Sequence, residues 1–155
     1  MTTSNSSRLE PEFVISREFD APRDLVWEAF TEGERLAQWW GPKGFTTTTY
    51  EMDVRPGGVW RFVMHGPDGV DYKNKIIYIE IVKPERLVYS HGGDEEGEPG
   101  QFHVTVTFTE QGGKTKLTLR MLFGSAAERG KAKEMGAIEG ANETLERLAE
   151  HLAKM

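Results

Sequence analysis

The alternation of apolar and polar residues along the chain predicts a protein built mainly from β-strands. The clearest example begins at Phe102, where apolar residues alternate with His103 and two threonines as far as Phe108. Similar patterns, most of them bounded by turns that contain Gly or Pro, predict six further strands at 12–19, 45–54, 59–65, 71–82, 86–91 and 115–123. Strands that follow one another through short turns pair in an antiparallel meander.

Helical patterns interrupt and end this series of strands. A first helix follows Asp20, its expected N-cap, and a second covers 32–38, with Thr31 as its expected N-cap. Apolar residues at helical spacing predict a long final helix from Ser125, its cap, to Lys154. Three glycines weaken the first half of that helix, each by up to about 1 kcal/mol relative to alanine, so this half either bends or passes close to another segment.

The order of these elements predicts an α+β fold. Six or seven antiparallel strands form a curved sheet around the long C-terminal helix, and two short helices follow the first strand. Because side chains do not readily fill the space between a deeply curved sheet and one helix, we expect a cavity between them. We predict a single domain over 12–155, preceded by a disordered tail over 1–11 that is polar and rich in Ser and Thr.

The run Trp39-Trp40-Gly41-Pro42 follows the second predicted helix and contains two adjacent tryptophans. Each indole carries a large apolar area that a protein does not leave in water without a reason. Since neighbours in sequence rarely point the same way, one ring is expected to fill the core while the other faces a cavity.

Composition narrows the possible functions. The chain has 155 residues, enough for a sizeable hydrophobic core, and a formal net charge of −6, which argues against nucleic-acid binding. No run approaches the roughly 18–20 consecutive apolar residues of a membrane span. There are no cysteines, and the polar N-terminus does not look like a signal peptide, so the cytoplasm is the expected location.

Five motifs lie in a characteristic order along the chain: Phe19-Asp20-Ala21-Pro22 with Val26-Trp27, Trp39-Trp40-Gly41-Pro42, the run 53–60, the run 80–89, and Leu145-Glu146-Arg147-Leu148-Ala149. In these motifs the chain resembles the helix-grip (START-like, birch-pollen-allergen-like) superfamily. Within it, the chain most resembles the branch named after the C-terminal domain of the activator of the heat-shock protein 90 ATPase. Many relatives carry a Gly-Trp pair in the last helix, where this chain has Gly140-Ala141, and the missing indole implies either more room in the expected cavity or a different group inserted there from elsewhere.

The four histidines were weighed as catalytic or ligand-anchoring groups. His151 lies near the end of the last helix and His103 on the outer face of its strand, so both are expected in solvent. His65 and His91 lie near strand ends, where they can meet at the cavity mouth as a proton donor or ligand anchor, although ordinary strand-end histidines are the simpler explanation. No metal-ligand spacing, cofactor motif or catalytic constellation is found, so no catalytic residue, cofactor or metal site is predicted.

The leading hypothesis is a protein that binds a small hydrophobic or aromatic molecule in this cavity. Such sites are mostly apolar, with a few polar groups that orient the ligand. The candidate site residues are Trp27, Trp39, Trp40, Trp60, Phe62, Met64, Tyr78, Phe102, Phe123, Met135 and Ile138, with His65, Tyr72 and Asn74 to orient the ligand. The register of the 71–82 strand is left open, because a bulge would reverse which of its residues face inward. The loop 92–100 is a candidate lid.

Two alternatives come from the resemblance. It implies a co-chaperone that binds a chaperone of the heat-shock protein 90 type through an outer surface and stimulates its ATPase. It also implies, from elsewhere in the superfamily, a cyclase-like or dehydratase-like enzyme acting in the same cavity, which needs one buried acid or base that the sequence does not single out. Monomer and homodimer both stay open.

Overall fold

The computed structural model describes residues 12–93 and 102–155, and within them lie seven strands, in the predicted order, and four helices, one more than predicted. The elements are β1 (Glu12–Phe19), α1 (Arg23–Thr31), α2 (Gly33–Trp39), β2 (Thr46–Met52), β3 (Val59–His65), β4 (Asp71–Val82), β5 (Arg86–Gly93), β6 (Phe102–Gln111), β7 (Lys114–Leu122), α3 (Ala126–Glu134) and α4 (Ala137–Leu152). The predicted tail and, apart from its first two residues, the candidate lid loop lie outside the described residues.

The seven strands form one antiparallel sheet in the order β1-β7-β6-β5-β4-β3-β2. Consecutive strands from β2 to β7 are neighbours because tight turns join most of them, and β1 adds to the far edge by pairing with β7. The inner face of this curved sheet packs against α1 and α4, with Leu145, Leu148 and Leu152 of α4 buried. The prediction of an α+β helix-grip fold is thus confirmed.

The register of β4, which the sequence left open, is set by a bulge between Tyr78 and Glu80. Before the bulge, Ile76 and Tyr78 are buried in the core, while Ile79 is exposed. Beyond it, Ile81 packs against the core, so the inward positions change from even to odd numbers. The inward half of β4 near the cavity is therefore the one that contains Asn74, Ile76 and Tyr78.

Two predicted helix caps are wrong. The N-cap of α1 is Pro22 rather than Asp20, and the N-cap of α2 is Glu32 rather than Thr31. The hydroxyl of Thr31 instead donates to the carbonyl oxygen of Trp27 at 2.8 Å, within the last turn of α1. A threonine four residues beyond a helical carbonyl finds this partner locally, and it is then no longer available to cap the next helix.

The single long C-terminal helix was also predicted wrongly, because the structure divides it into α3 and α4. The cap at Ser125 is confirmed, since its hydroxyl accepts from the backbone N–H of Glu128 at 3.1 Å. The helix is interrupted at Gly136, whose φ of +86° is in the left-handed region that glycine adopts without a steric penalty. Of the two expected consequences of the glycines, an interruption of the regular helix is the one that the structure shows, between α3 and α4.

The core is filled unevenly along β6. At its C-terminal end, Phe108 makes edge-to-face contacts with Trp27 and Phe30 of α1 at ring-centroid distances of 5.3 and 5.4 Å. At its N-terminal end, Phe102 lines an open cavity instead. Aromatic rings from α1 therefore fill one end of the helix-grip, and the other end contains the cavity.

Candidate ligand-binding site

A cavity of about 680 Å³ lies between the inner face of the sheet and the α3–α4 segment. Its sheet wall comes from alternate, inward-facing residues of β3, β5, β6 and β7, and the α2–β2 connection closes one side. On α4 the wall is formed by Ala137, Gly140, Ala141, Thr144 and Leu145, and the first three of these are small residues. Since methyl groups and a glycine replace larger side chains there, the helix does not fill the space in front of the sheet.

The two adjacent tryptophans do different things. Trp39 has 0% of its surface exposed and donates from Nε1 to the carbonyl oxygen of Ala29 at 3.1 Å, so it belongs to the core as well as to the innermost wall of the cavity. Trp40 is only partly buried, and it lines the cavity as well. The next residue, Gly41, has a φ of +104°, which allows the chain to reverse directly after the second ring.

Behind Trp40 lies a stack of aromatic rings, which we call the aromatic floor and define as Trp39, Trp40, Trp60 and Phe62. The rings of Trp60 and Phe62 stack at 4.1 Å, and Trp40 meets Trp60 edge-to-face at 5.1 Å. Nε1 of Trp60 donates to the hydroxyl of Thr49 at 3.0 Å, which satisfies its only polar atom. Trp60 and Phe62 are buried and support Trp40 from behind.

Arg147 of α4 holds the loop that carries Trp40. Its Nη1 donates to the carbonyl oxygens of Gly41 and Pro42 at 2.9 and 3.1 Å, with a longer contact to that of Trp40. Partial burial lowers the pKa of the guanidinium, which remains a cation at any physiological pH. A cation that serves several carbonyl oxygens at the end of α2 fixes the position of this loop relative to α4.

The main polar side chain on the sheet wall is His91. Its Nε2 lies 3.0 Å from Oδ1 of Asn74, and rings of Phe102, Phe62 and Trp40 surround it at centroid distances of 5.1, 5.8 and 6.4 Å. Burial among these rings lowers the pKa of His91 from 6.5 to about 4, so the ring is neutral at physiological pH. Beside it, burial and the neighbouring Tyr78 raise the pKa of Tyr89, which keeps this hydroxyl protonated.

The mouth of the cavity is formed by α3, which has no buried residue. Glu128 and Lys131 place one charge of each sign there, and Met135 is 86% exposed beside them. Arg129 attaches α3 to the first strand, because its Nε donates to the backbone oxygen of Glu12 at 2.8 Å and its guanidinium lies 4.4 Å from the ring centroid of Phe13.

The predicted site residues fall into three groups. Those that line the cavity are Trp39, Trp40, Met64, Phe102, Phe123 and Met135. Those that pack behind or beside its wall are Trp27, Trp60, Phe62, Asn74, Tyr78 and Ile138. The two that lie apart from the cavity are His65 and Tyr72. A role in ligand binding stays a prediction for each of these residues.

The structure does not bring His65 and His91 together. His65 bonds to Asp71 at 2.7 Å and to Thr48 at 2.9 Å near the end of β3, and it does not line the cavity. Tyr72 is 44% exposed and packs against the ring of Phe45. Both residues lie close to the β3–β4 turn, beyond the part of the sheet that faces α4.

Several lining residues were absent from the predicted site, among them Tyr89, His91, Val104, Met121 and Ala141. Strand alternation contained a usable signal for some of them. His91 pairs with Phe102 and Tyr89 with Val104 across β5 and β6, so an inward Phe102 implies inward partners on β5. For Ala141, the position of the missing indole was itself the signal.

Metal-ligand groups and membrane-spanning helices are considered only for the described residues, 12–93 and 102–155. There, no group of three or more His, Asp or Glu side chains is placed to hold a metal ion. In the same ranges, no helix combines the length and apolar character needed to cross a lipid bilayer.

The sheet, the gripping helix and the cavity between them define a helix-grip protein. Residues 20–153 match the family described as "Activator of Hsp90 ATPase homolog 1-like protein", and the chain belongs to this family. The resemblance seen in the motifs is therefore confirmed.

Solved structures of bacterial proteins have the same fold. One from Arthrobacter aurescens is 28% identical, with a TM-score of 0.88 over 94% of this chain and 88% of that one. A Mycobacterium smegmatis protein is also 28% identical, with a TM-score of 0.86 over 94% and 92% of the two chains. A Nitrosomonas europaea protein is 26% identical, with a TM-score of 0.84 over 92% of this chain and 94% of that one. No protein with a curated description matches the chain.

Proposed function

We propose that this protein binds a small hydrophobic or aromatic molecule in the cavity between α4 and the sheet. The observation that carries the proposal is the cavity itself, about 680 Å³ in volume and walled mainly by aromatic and aliphatic side chains. Ligand pockets typically measure about 300–1,000 Å³ and are mostly apolar, with a few polar groups.

The small residues on α4 support this proposal. An apolar space that is not filled by side chains reduces stability, because its lining loses dispersion contacts. Ala137, Gly140 and Ala141 nevertheless leave the helix side of the cavity open. A Cβ added at Gly140 would meet Pro42 at 3.5 Å, an ordinary contact, so close backbone packing does not by itself require glycine there. The open space is better explained by occupation by a ligand.

The proposal is tested by filling the cavity. Native mass spectrometry of the freshly purified protein would first look for a bound small molecule, and thermal-shift titration with aromatic compounds such as 2-naphthol would follow. We expect 2-naphthol to raise the melting temperature of the wild-type protein in a saturable way. Ala141→Trp places an indole in the cavity and should abolish this shift.

The matched control is Asn142→Trp, since Asn142 is exposed on the next position of α4 and does not line the cavity. This variant should keep the full thermal shift. A wild-type protein without any co-purified mass, and without a shift across a broad aromatic set, would contradict the proposal.

Family membership favours a second candidate function, the co-chaperone one. It requires an outer surface rather than the cavity. Stimulation of a chaperone ATPase that persists in Ala141→Trp, and that charge reversals on the surface abolish, would support this alternative over the ligand-binding proposal.

A further inference from the structure

The sheet wall of the cavity contains a hydrogen-bond acceptor that no group of the described residues uses. We propose that the cavity selects apolar molecules that carry a hydrogen-bond donor, such as a phenolic or enolic hydroxyl or an N–H, and that Nδ1 of His91 accepts this hydrogen bond. The inference rests on the proposed ligand-binding function and specifies the chemical class of the ligand.

The first step is the orientation of the Asn74 amide. Its Nδ2 donates to the backbone oxygen of Tyr72 at 2.9 Å, and a carbonyl oxygen can only accept. The amide is thereby oriented with its own oxygen, Oδ1, toward His91. The reversed amide would place two carbonyl oxygens against each other.

The second step is the tautomer of His91. Because Oδ1 of Asn74 can only accept, Nε2 of His91 must carry the hydrogen that fills the 3.0 Å contact. The surrounding aromatic rings of Trp40, Phe62 and Phe102 keep the imidazole neutral by excluding water from it. A neutral imidazole with its hydrogen on Nε2 has a lone pair on Nδ1.

The third step is the accessibility of Nδ1. Within the described residues, Nε2 is the only ring nitrogen of His91 that has a hydrogen-bond partner. Nδ1 has no partner there, but it is not among the unpartnered side-chain atoms that are fully shut off from solvent. Because the ring lines the cavity and its Nε2 is occupied by Asn74, we infer that Nδ1 is the atom a ligand reaches. A ligand with a donor there satisfies the atom, whereas a ligand with only an acceptor or an anionic group leaves two lone pairs facing each other.

The neighbouring polar group does not impose the same choice. The Tyr89 hydroxyl can rotate to donate or to accept, so it adapts to either kind of ligand. Discrimination between donor and acceptor ligands therefore comes from His91, whose tautomer is held by Asn74.

The test compares 2-naphthol, which has a hydroxyl donor, with 2-methoxynaphthalene, which keeps the ring and the oxygen but has no donor. By calorimetry or fluorescence titration, we expect the wild-type protein to bind 2-naphthol about 5- to 10-fold more tightly, the usual effect of one neutral hydrogen bond. In long-range 1H–15N spectra of the wild-type protein, Nδ1 of His91 should appear unprotonated, and its signal should move on addition of 2-naphthol but not of the methyl ether.

Variants separate this hydrogen bond from the general properties of the two probes. His91→Phe keeps an aromatic ring in the wall and should reduce the ratio of the two dissociation constants about 5- to 10-fold. The same replacement at the exposed histidine on the outer face of β6, His103→Phe, should leave the ratio unchanged.

Asn74→Asp should change Nδ1 of His91 from an acceptor to a donor. A carboxylate facing Nε2 stabilises the protonated imidazole, and Nδ1 then becomes a donor. In this variant Nδ1 donates to the oxygen of either probe, so the preference for 2-naphthol should disappear.

Equal affinity for both probes in the wild-type protein, or a protonated Nδ1 in its spectra, would overturn the inference while leaving the ligand-binding proposal intact. These two readouts need no variant, so they decide the question even where a substitution prevents folding. If neither probe binds, both this inference and the proposal of an aromatic-binding cavity fail together.

Discussion

The two sides of the cavity are built in opposite ways. In the aromatic floor, Trp39, Trp60 and Phe62 are buried and Trp40 is partly buried. Its rings contact one another at short centroid distances, and the indole nitrogens of Trp39 and Trp60 have partners. The α3 side has no buried residue, ends at a left-handed glycine and is held to β1 mainly through Arg129. Under the proposed ligand-binding function, we expect the closely packed floor to define the shape that a ligand must fit and the loosely packed α3 to open for its entry.

The largest expected effect is on the floor side of this comparison. Trp60→Ala removes an indole that is 1% exposed and stacks on Phe62, and it should reduce the free energy of unfolding by about 3–5 kcal/mol. Urea denaturation measures the change. As a control, Tyr50→Ala removes an aromatic ring that is 69% exposed, and it should change the stability by less than about 0.5 kcal/mol. Similar losses for both variants would contradict the assigned difference in burial.

Acid should reduce the stability of the folded protein through His91. Its pKa is about 4 in the folded protein and about 6.5 when unfolded, so between these values the unfolded chain binds more protons. The free energy of unfolding should therefore fall as pH falls from 6.5 to 4, by up to about 3 kcal/mol from this group. Denaturation curves over this range, with the carboxylate contribution subtracted by comparison with His91→Phe, measure the effect. If stability depends on pH in the same way in His91→Phe and in the wild-type protein, His91 does not make this contribution.

A smaller effect is expected where α4 is attached to the loop that ends in Pro42. Arg147→Met removes the donors to the carbonyl oxygens of Gly41 and Pro42 and should lower the stability by about 1–2 kcal/mol, with weaker binding of 2-naphthol. Arg86→Met removes a half-exposed ion pair between Arg86 of β5 and Glu80 of β4 and should cost less than about 0.5 kcal/mol. Comparison of the two variants by denaturation and by titration shows whether the loop contact has a specific role.

The smallest stability change, with the clearest change in kinetics, is expected on the α3 side. Arg129→Ala removes the contacts with Glu12 and Phe13, costs about 1 kcal/mol or less and should increase the rate of ligand dissociation several-fold. Stopped-flow displacement measures the dissociation rate, and hydrogen exchange of the α3 amides measures how easily the helix opens. Lys133→Ala, an exposed change on the same helix, should alter neither. If dissociation is unchanged in Arg129→Ala, α3 does not control access.

The predicted site residues differ from the residues that line the cavity, because periodicity does not show which segment covers an inward side chain. Strand alternation and the resemblance together pointed to Trp40, Met64, Phe102 and Phe123, all of which line the cavity. Periodicity also marked Trp60 and Phe62 as inward, which they are, but it has no means of showing that Trp40 covers them. Inward orientation is a local property, whereas access to a cavity depends on which other segment lies in front.

Sequence alone determined the order of the elements, the antiparallel meander, the cap at Ser125 and the expectation of space beside Ala141, because turn residues, periodicity and side-chain volume act locally. Only the tertiary structure decided the bulge in β4, the break at Gly136 and the pairing of Asn74 with His91. Each of these depends on contacts between segments far apart in the chain or on how a bent helix meets the sheet. The acceptor atom in the cavity wall is of this second kind, since the tautomer of one side chain depends on the amide of another, 17 positions earlier in the sequence.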